Sequence, residues 1–228
     1  MPFRNRSDAG RRLAAALAAY AGKDVVVLAL PRGGVPVGAE IATALRAPLD
    51  LVLVRKIGVP RHEELAMGAV ADGGRAVTVR NEDVIQMLGI DVRTFDALRD
   101  RQLDEIQRRR AVYLRGRPAQ DLKGRIAIVV DDGVATGATT RAALQAVRAC
   151  GPAQLVLATP VAPTEVLAEL CSEADDVVCL ETHQTFGAIG FYYDDFSQVS
   201  DQEVVDILSQ FAPQAERSGP DDRAQHML

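Results

Sequence analysis

Five short runs in which every position is apolar punctuate the chain: residues 25–30, 51–54, 126–130, 155–158 and 177–180. Runs of this length without polar alternation predict strands covered on both faces, as in a parallel sheet held between helical layers. Between them the period changes to that of a helix. Thr140, Ala143, Leu144 and Val147 recur at i, i+3, i+4 and i+7, and the pattern stops at Gly151-Pro152. A second helix opens with Pro163 and turns Val166, Leu167 and Leu170 inward, and a third crossover, residues 35–45, joins the first two strands. Strands alternating with helices of this size imply right-handed crossovers, hence an α/β fold: a three-layer sandwich around a mainly parallel central sheet.

Three further segments complete the pattern. Leu13, Leu17 and Tyr20 give the N-terminal segment one apolar face. Residues 81–115 interrupt the alternation, and Phe95, Leu98, Ile106 and Tyr113 recur there at helical intervals among many charges, predicting one long amphipathic helical insertion. Its Arg108-Arg109-Arg110 run reads as a solvated face. Residues 213–228 are polar and aperiodic, so a disordered tail is expected there, after a single domain over residues 1–212.

Composition adds exclusions. With 26 basic and 31 acidic side chains the formal charge is −5, which disfavours a protein built to neutralise nucleic-acid phosphates. No apolar stretch approaches the roughly 20 residues that cross a bilayer, and no apolar core follows the N-terminus, so a cytoplasmic protein without a membrane partner is expected. Three cysteines, Cys150, Cys171 and Cys179, lack Cys-x-x-Cys spacing and read as small packing residues.

In an open parallel sheet, ligands gather outside the carboxyl ends of the strands, so the loops there are the place to look for chemistry. After residues 126–130 the chain reads Asp131-Asp132-Gly133-Val134-Ala135-Thr136-Gly137-Ala138-Thr139-Thr140. The consecutive amides of Ala135, Thr136, Gly137, Ala138 and Thr139 suit a phosphate, since small side chains permit close approach and a helix start supplies a positive dipole end. No Walker lysine is present, which disfavours a nucleoside-triphosphate hydrolase. Two carboxylates beside a bare phosphate would repel it, whereas they suit the hydroxyls of a phosphorylated sugar. After residues 25–30 come Pro31-Arg32-Gly33-Gly34, whose glycines free the backbone to aim amides and one guanidinium at an anion. After residues 51–54 comes a charged, Gly- and Pro-containing connection, residues 54–68, led by Arg55 and Lys56. Finally, five of the ten aromatic residues (Phe186, Phe191, Tyr192, Tyr193 and Phe196) fall within eleven positions.

The acidic-threonine run resembles the phosphoribosyl-pyrophosphate (PRPP) signature of type I phosphoribosyltransferases: apolar residues, two acids, a threonine-glycine turn and a closing threonine. Gly133 departs from it, standing where the family usually carries an aliphatic residue. The resemblance implies that Asp131 and Asp132 contact the ribose hydroxyls, that Ala135 to Thr139 hold the 5-phosphate, and that Arg32, Gly33 and Gly34 bind pyrophosphate, through a cis peptide expected between Arg32 and Gly33. It further implies that residues 54–68 form a flexible closing loop, with Arg55 and Lys56 meeting the leaving group. A small C-terminal hood would receive the acceptor, with Phe186 or Tyr192 stacking on it and Glu181, Thr182 and His183 as polar readers. The implied reaction transfers the phosphoribosyl group of PRPP to a nitrogen acceptor, with Mg²⁺ bound mainly through PRPP. The partners are small molecules, and members of the family are often homodimers. The alternative is a regulator that senses PRPP or a nucleotide on the same fold without turnover.

Overall fold

A computed structural model describes residues 2–60, 62–73 and 76–211. The expected disordered tail, residues 213–228, lies outside them. In chain order the elements are α1 (Arg6–Ala16), β1 (Val25–Ala29), α2 (Gly34–Leu45), β2 (Leu49–Leu51), β3 (Leu53–Val59), β4 (His62–Asp72), β5 (Ala76–Arg80), α3 (Glu82–Met87), α4 (Val92–Leu114), β6 (Ile126–Val130), α5 (Ala138–Arg148), β7 (Gln154–Pro163), α6 (Thr164–Leu170), β8 (Asp176–His183) and α7 (Asp201–Ser209).

The five apolar runs build a parallel sheet in the order β2-β1-β6-β7-β8. Side chains alternate across it. Val25, Val27, Ala29, Ile128 and Val130 face a core shared with α1, α2 and α7, while Val26, Leu28, Ala127 and Val129 face α5 and α6. Two faces, each with its own helical layer, give the three-layer α/β sandwich that the hydropathy pattern predicts.

Three expectations change. The apolar run 51–54 is two strands rather than one: β2 ends at Leu51, and β3 leaves for a second sheet, of order β3-β4-β5, whose pairings are antiparallel. Leu49, Leu51, Val52 and Leu53 are all buried, so hydropathy is continuous across the branch point. Secondly, the connection expected as a flexible loop is largely β3 and β4, with a β-bulge near Gly58. Leu53, Ile57 and Val59 are buried on it, an alternating signal masked by Arg55, Lys56 and Gly58. Thirdly, the single long helical insertion is two helices. Gly89, at φ +60°, ends the first, and the Asp91 side chain accepts the Thr94 amide to start the second.

Candidate functional site

The β6–α5 junction is built to leave backbone donors free. Asn5, Asn81, Asp91 and Ser200 cap α1, α3, α4 and α7 with side-chain oxygens, but α5 begins after Gly137 with no side-chain cap. Gly137 has φ +73°, and a Cβ there would sit 2.7 Å from Val166 Cγ1, so conformation and space both demand glycine. Among the described residues, none supplies an acceptor to the amides of Ala135, Thr136, Gly137, Ala138 or Thr139. Ala135, Thr136, Ala138 and Thr139 are exposed. The turn expected to cradle a phosphate therefore has unengaged amides and is open.

The two aspartates differ. Asp131 keeps part of its surface exposed, and its Oδ1 accepts the Asp132 amide at 2.9 Å. Burial, and next the charge of Asp132, push the Asp131 carboxyl well above the usual carboxylate range, with Arg6 opposing the rise. Asp132 is only 8% exposed, and its Oδ2 accepts a 2.7 Å hydrogen bond from Arg6 Nε. Its backbone carbonyl accepts the Tyr193 hydroxyl at 2.6 Å. Burial first, then Asp132, raises the Tyr193 phenol above its ordinary value, so it remains a donor. As an oxygen pair facing one ligand, the twin acids are thus not equivalent: Asp131 adjoins the cradle, and Asp132 is bound to protein.

The β1–α2 loop packs directly on this junction. A Cβ on Gly33 would collide with the Asp132 carboxylate, and one on Gly34 would lie 2.6 Å from the Val130 carbonyl oxygen. Close approach, rather than positive φ, explains these two glycines. The loop does contain a cis non-proline peptide, between Pro31 and Arg32. That is one bond earlier than expected. The Arg32 side chain is 3.7 Å from Asp201 at the start of α7, and Asp201 also accepts the Tyr113 hydroxyl at 2.8 Å.

Arg55 and Lys56, neighbours on β3, diverge because successive side chains alternate. Lys56 lines a cleft of about 390 Å³ together with Arg80, Asn81, Arg141, Thr136 and Thr139. Arg55 donates instead to Gln102 of α4 at 3.0 Å. Only Lys56 of the pair shares a space with the cradle, and the antiparallel sheet forms the facing wall.

At the end of β8, Glu181, Thr182 and His183 pair with Val161, Ala162 and Pro163 of β7. Tyr192 lies between His183, 4.6 Å away, and Phe186, 4.9 Å away and stacked. Those two rings therefore pack on each other instead of standing free as a stacking wall. Phe191, 79% exposed, is the open aromatic of the group. The expected C-terminal hood meets the acidic loop through other residues: Ile189, which a Cβ at Gly133 would touch at 2.5 Å, and Tyr193. The small residue that departs from the signature thus makes room for Ile189. Sequence reasoning missed Arg6, and nothing local announces it, since Asn5-Arg6-Ser7-Asp8 reads only as a helix start.

A family model described as a phosphoribosyl transferase domain matches residues 3–195. Two relatives from Mycobacterium tuberculosis, strains CDC 1551 and H37Rv, each bear the name "Putative phosphoribosyl transferase". Each is 51% identical over 206 residues, which cover 90% of this chain and 46% of the relative. The chain spans about half the length of these curated relatives. The crystal structure of TT1426 from Thermus thermophilus is similar with a TM-score of 0.81 and 44% identity, covering 93% of this chain and 100% of that one.

Proposed function

Because the chain belongs to the phosphoribosyl transferase domain family, we propose that it transfers the 5-phosphoribosyl group of PRPP to a nitrogen acceptor, a nucleobase, and releases pyrophosphate. One observation carries this reading: a row of unengaged amides and hydroxyls, Ala135 to Thr139, runs on from Asp131 at the end of β6. The 5-phosphate sits on those amides, with the dipole of α5 and the Lys56 charge favouring it. Asp131 accepts from a ribose hydroxyl. The bond from ribose carbon 1 to the diphosphate oxygen breaks, its electron pair leaving with the diphosphate, and a bond to the acceptor nitrogen forms. The nitrogen's proton passes to solvent.

The substrate is the Mg²⁺ complex of PRPP. Such an ion arrives on the diphosphate and keeps most of its waters, so it asks for few protein ligands. Positive charge grows at carbon 1 as in glycoside cleavage, so the chain's part is to hold the sugar and favour the departing anion electrostatically. Arg32 and the amide of Gly33 serve the diphosphate once Arg32 exchanges Asp201 for it, the Gly34 amide being held by the Leu30 carbonyl.

A second reading has its own observation. Asp132 is engaged by Arg6 and Arg32 lies near Asp201, an arrangement suited to a protein that binds PRPP or a nucleotide as a signal. Calorimetry with Mg²⁺ and PRPP, followed by pyrophosphate release against a panel of nucleobases, decides between them. Binding with release supports the enzyme, binding without release supports a PRPP sensor, and no binding overturns both the enzyme and the PRPP sensor. Asp131→Asn should weaken PRPP binding about 10–100-fold, the worth of a charge-assisted hydrogen bond.

A further inference from the structure

Asp132 has little left to offer a ligand. Its amide donates to Asp131 Oδ1, its carbonyl accepts from Tyr193, and Oδ2 is held by Arg6. The Arg6–Asp132 pair is shielded, each side chain being 11% exposed. Such a pair differs from a solvated surface bridge, since removing one partner strands the other charge away from water. Arg6 is itself over-determined. Its Nη1 donates to the Ser197 carbonyl at 2.7 Å, and its guanidinium carbon lies 3.9 Å over the centre of the Phe196 ring. A planar fork that bonds two acceptors and stacks on a ring is a task for arginine rather than lysine. One side chain from the first turn of α1 thus joins the acidic loop to the C-terminal segment.

We propose that Arg6 is a positioning residue for the sugar site, fixing Asp132 so that Asp131 alone is presented to the ribose hydroxyls. This inference rests on the phosphoribosyl reading above. Its geometric basis is the contrast within the acid pair: Asp132 is bonded to a guanidinium, while Asp131 is partly open and meets only Asp132, through its amide at 2.9 Å and its carboxyl. The charged and polar groups around Asp132 are Asp131 on its own loop, Arg6 from α1 and Tyr193 from the C-terminal segment, with Asp195 and Glu203 near enough to Arg6 to feel its charge. Without Arg6 the repulsion between the adjoining acids would lose its compensating charge, the Asp132 carboxylate would be free to turn, and the sugar would lose a fixed acceptor.

The test compares two probes on the full chain, Mg²⁺-PRPP and inorganic phosphate, by calorimetry on wild type, Arg6→Ala, Arg6→Lys, Asp132→Asn and the Arg6→Ala/Asp132→Asn double variant. Arg6→Ala should weaken PRPP binding about tenfold or more while phosphate binding to the cradle stays within about twofold, because phosphate does not use the acids. Arg6→Lys should fall between, keeping charge but losing the fork. The double variant should bind PRPP no more weakly than the weaker single variant, since both changes break one interaction. Equal loss of phosphate and PRPP binding would mark Arg6 as a mere staple of the fold, and purely additive losses, or unchanged PRPP affinity in Arg6→Ala and Arg6→Lys, would overturn the proposal. Should wild type fail to bind PRPP, the functional reading falls first and this one with it, an outcome distinct from wild-type binding that the variants leave untouched. If Arg6→Ala does not fold, Arg6→Lys and Asp132→Asn carry the same comparison.

Discussion

At the scale of single residues, the site is held in states that folding alone would not choose. Asp131 is the clearest case. Its carboxyl is raised above the ordinary value by burial and by Asp132, so the folded chain retains a proton that the unfolded chain has already released. Stability must then decline as pH climbs from the ordinary carboxylate range, about 4, through the raised value. Asp131→Asn removes that penalty. At pH 7 it should raise the melting temperature by roughly 2–4 °C, on the order of 1 kcal/mol, even as PRPP binding weakens. The gain should vanish near pH 3, where the wild-type acid is protonated in both states, and a thermal melt at the two pH values checks it. Gly137→Ala should do the reverse. A side chain at φ +73° pressed on Val166 costs about 1–2 kcal/mol in a denaturant titration, besides distorting the cradle. The sequence alone reveals both residues because their chemistry is local: acids, glycine and threonines lie within one strand-to-helix junction. Arg6 stands 126 positions from Asp132, and no pattern along a chain reports a pairing at that distance.

At the scale of elements, what was legible is what carries a uniform period. Strands β1, β6 and β7 announce themselves because both faces are covered, β8 because its run is apolar although it is only half-buried at the sheet edge, and α5 because its apolar stripe repeats without interruption. The sheet β3-β4-β5 carries a mixed signal, buried on alternate positions but broken by a bulge at Gly58 and loaded with Arg55 and Lys56. Its coupling to the parallel sheet depends on an interaction hidden in a run that reads as solvated. Arg110, from the three-arginine stretch of α4, approaches Asp50 of β2 at 3.4 Å and Asp72 of β4 at 3.8 Å, with its side chain only 16% exposed. Asp50 also accepts the amides of Leu51 and Gln120, both at 2.8 Å. Arg110→Met should therefore cost about 2–3 kcal/mol in urea unfolding, less than the full penalty for breaking a buried pair because two amide donors remain on Asp50. Arg108→Met and Arg109→Met, whose partner Glu105 is on the same helix, should each leave the urea midpoint nearly unchanged, since exposed pairs contribute little.

At the scale of the whole molecule, the first residues of the described chain and the segment before α7 close on the acidic loop. Phe3 forms a bridge with Tyr193: its amide donates to the Tyr192 carbonyl at 2.8 Å, and its carbonyl accepts the Asp194 amide at 2.8 Å. The Asp195 amide donates to the Arg4 carbonyl at 2.9 Å. These bonds are remote from the cradle along the sequence, yet they flank Arg6 and Tyr193, the two side chains that hold Asp132. If opening of this clasp releases Asp132, the opened form binds ligand poorly, and mass action by a ligand suppresses it. At a ligand concentration of 100 times the dissociation constant the stabilisation is about 2.7 kcal/mol, equivalent to about 100-fold slower exchange through openings that abolish binding. Hydrogen exchange followed by mass spectrometry, with Mg²⁺-PRPP present and absent, should then show protection in peptides covering residues 2–10 and 189–197 as well as 131–140. Protection confined to 131–140 would mean that the clasp opens without disturbing the sugar site, and that residues 2–10 and 189–197 serve the fold alone.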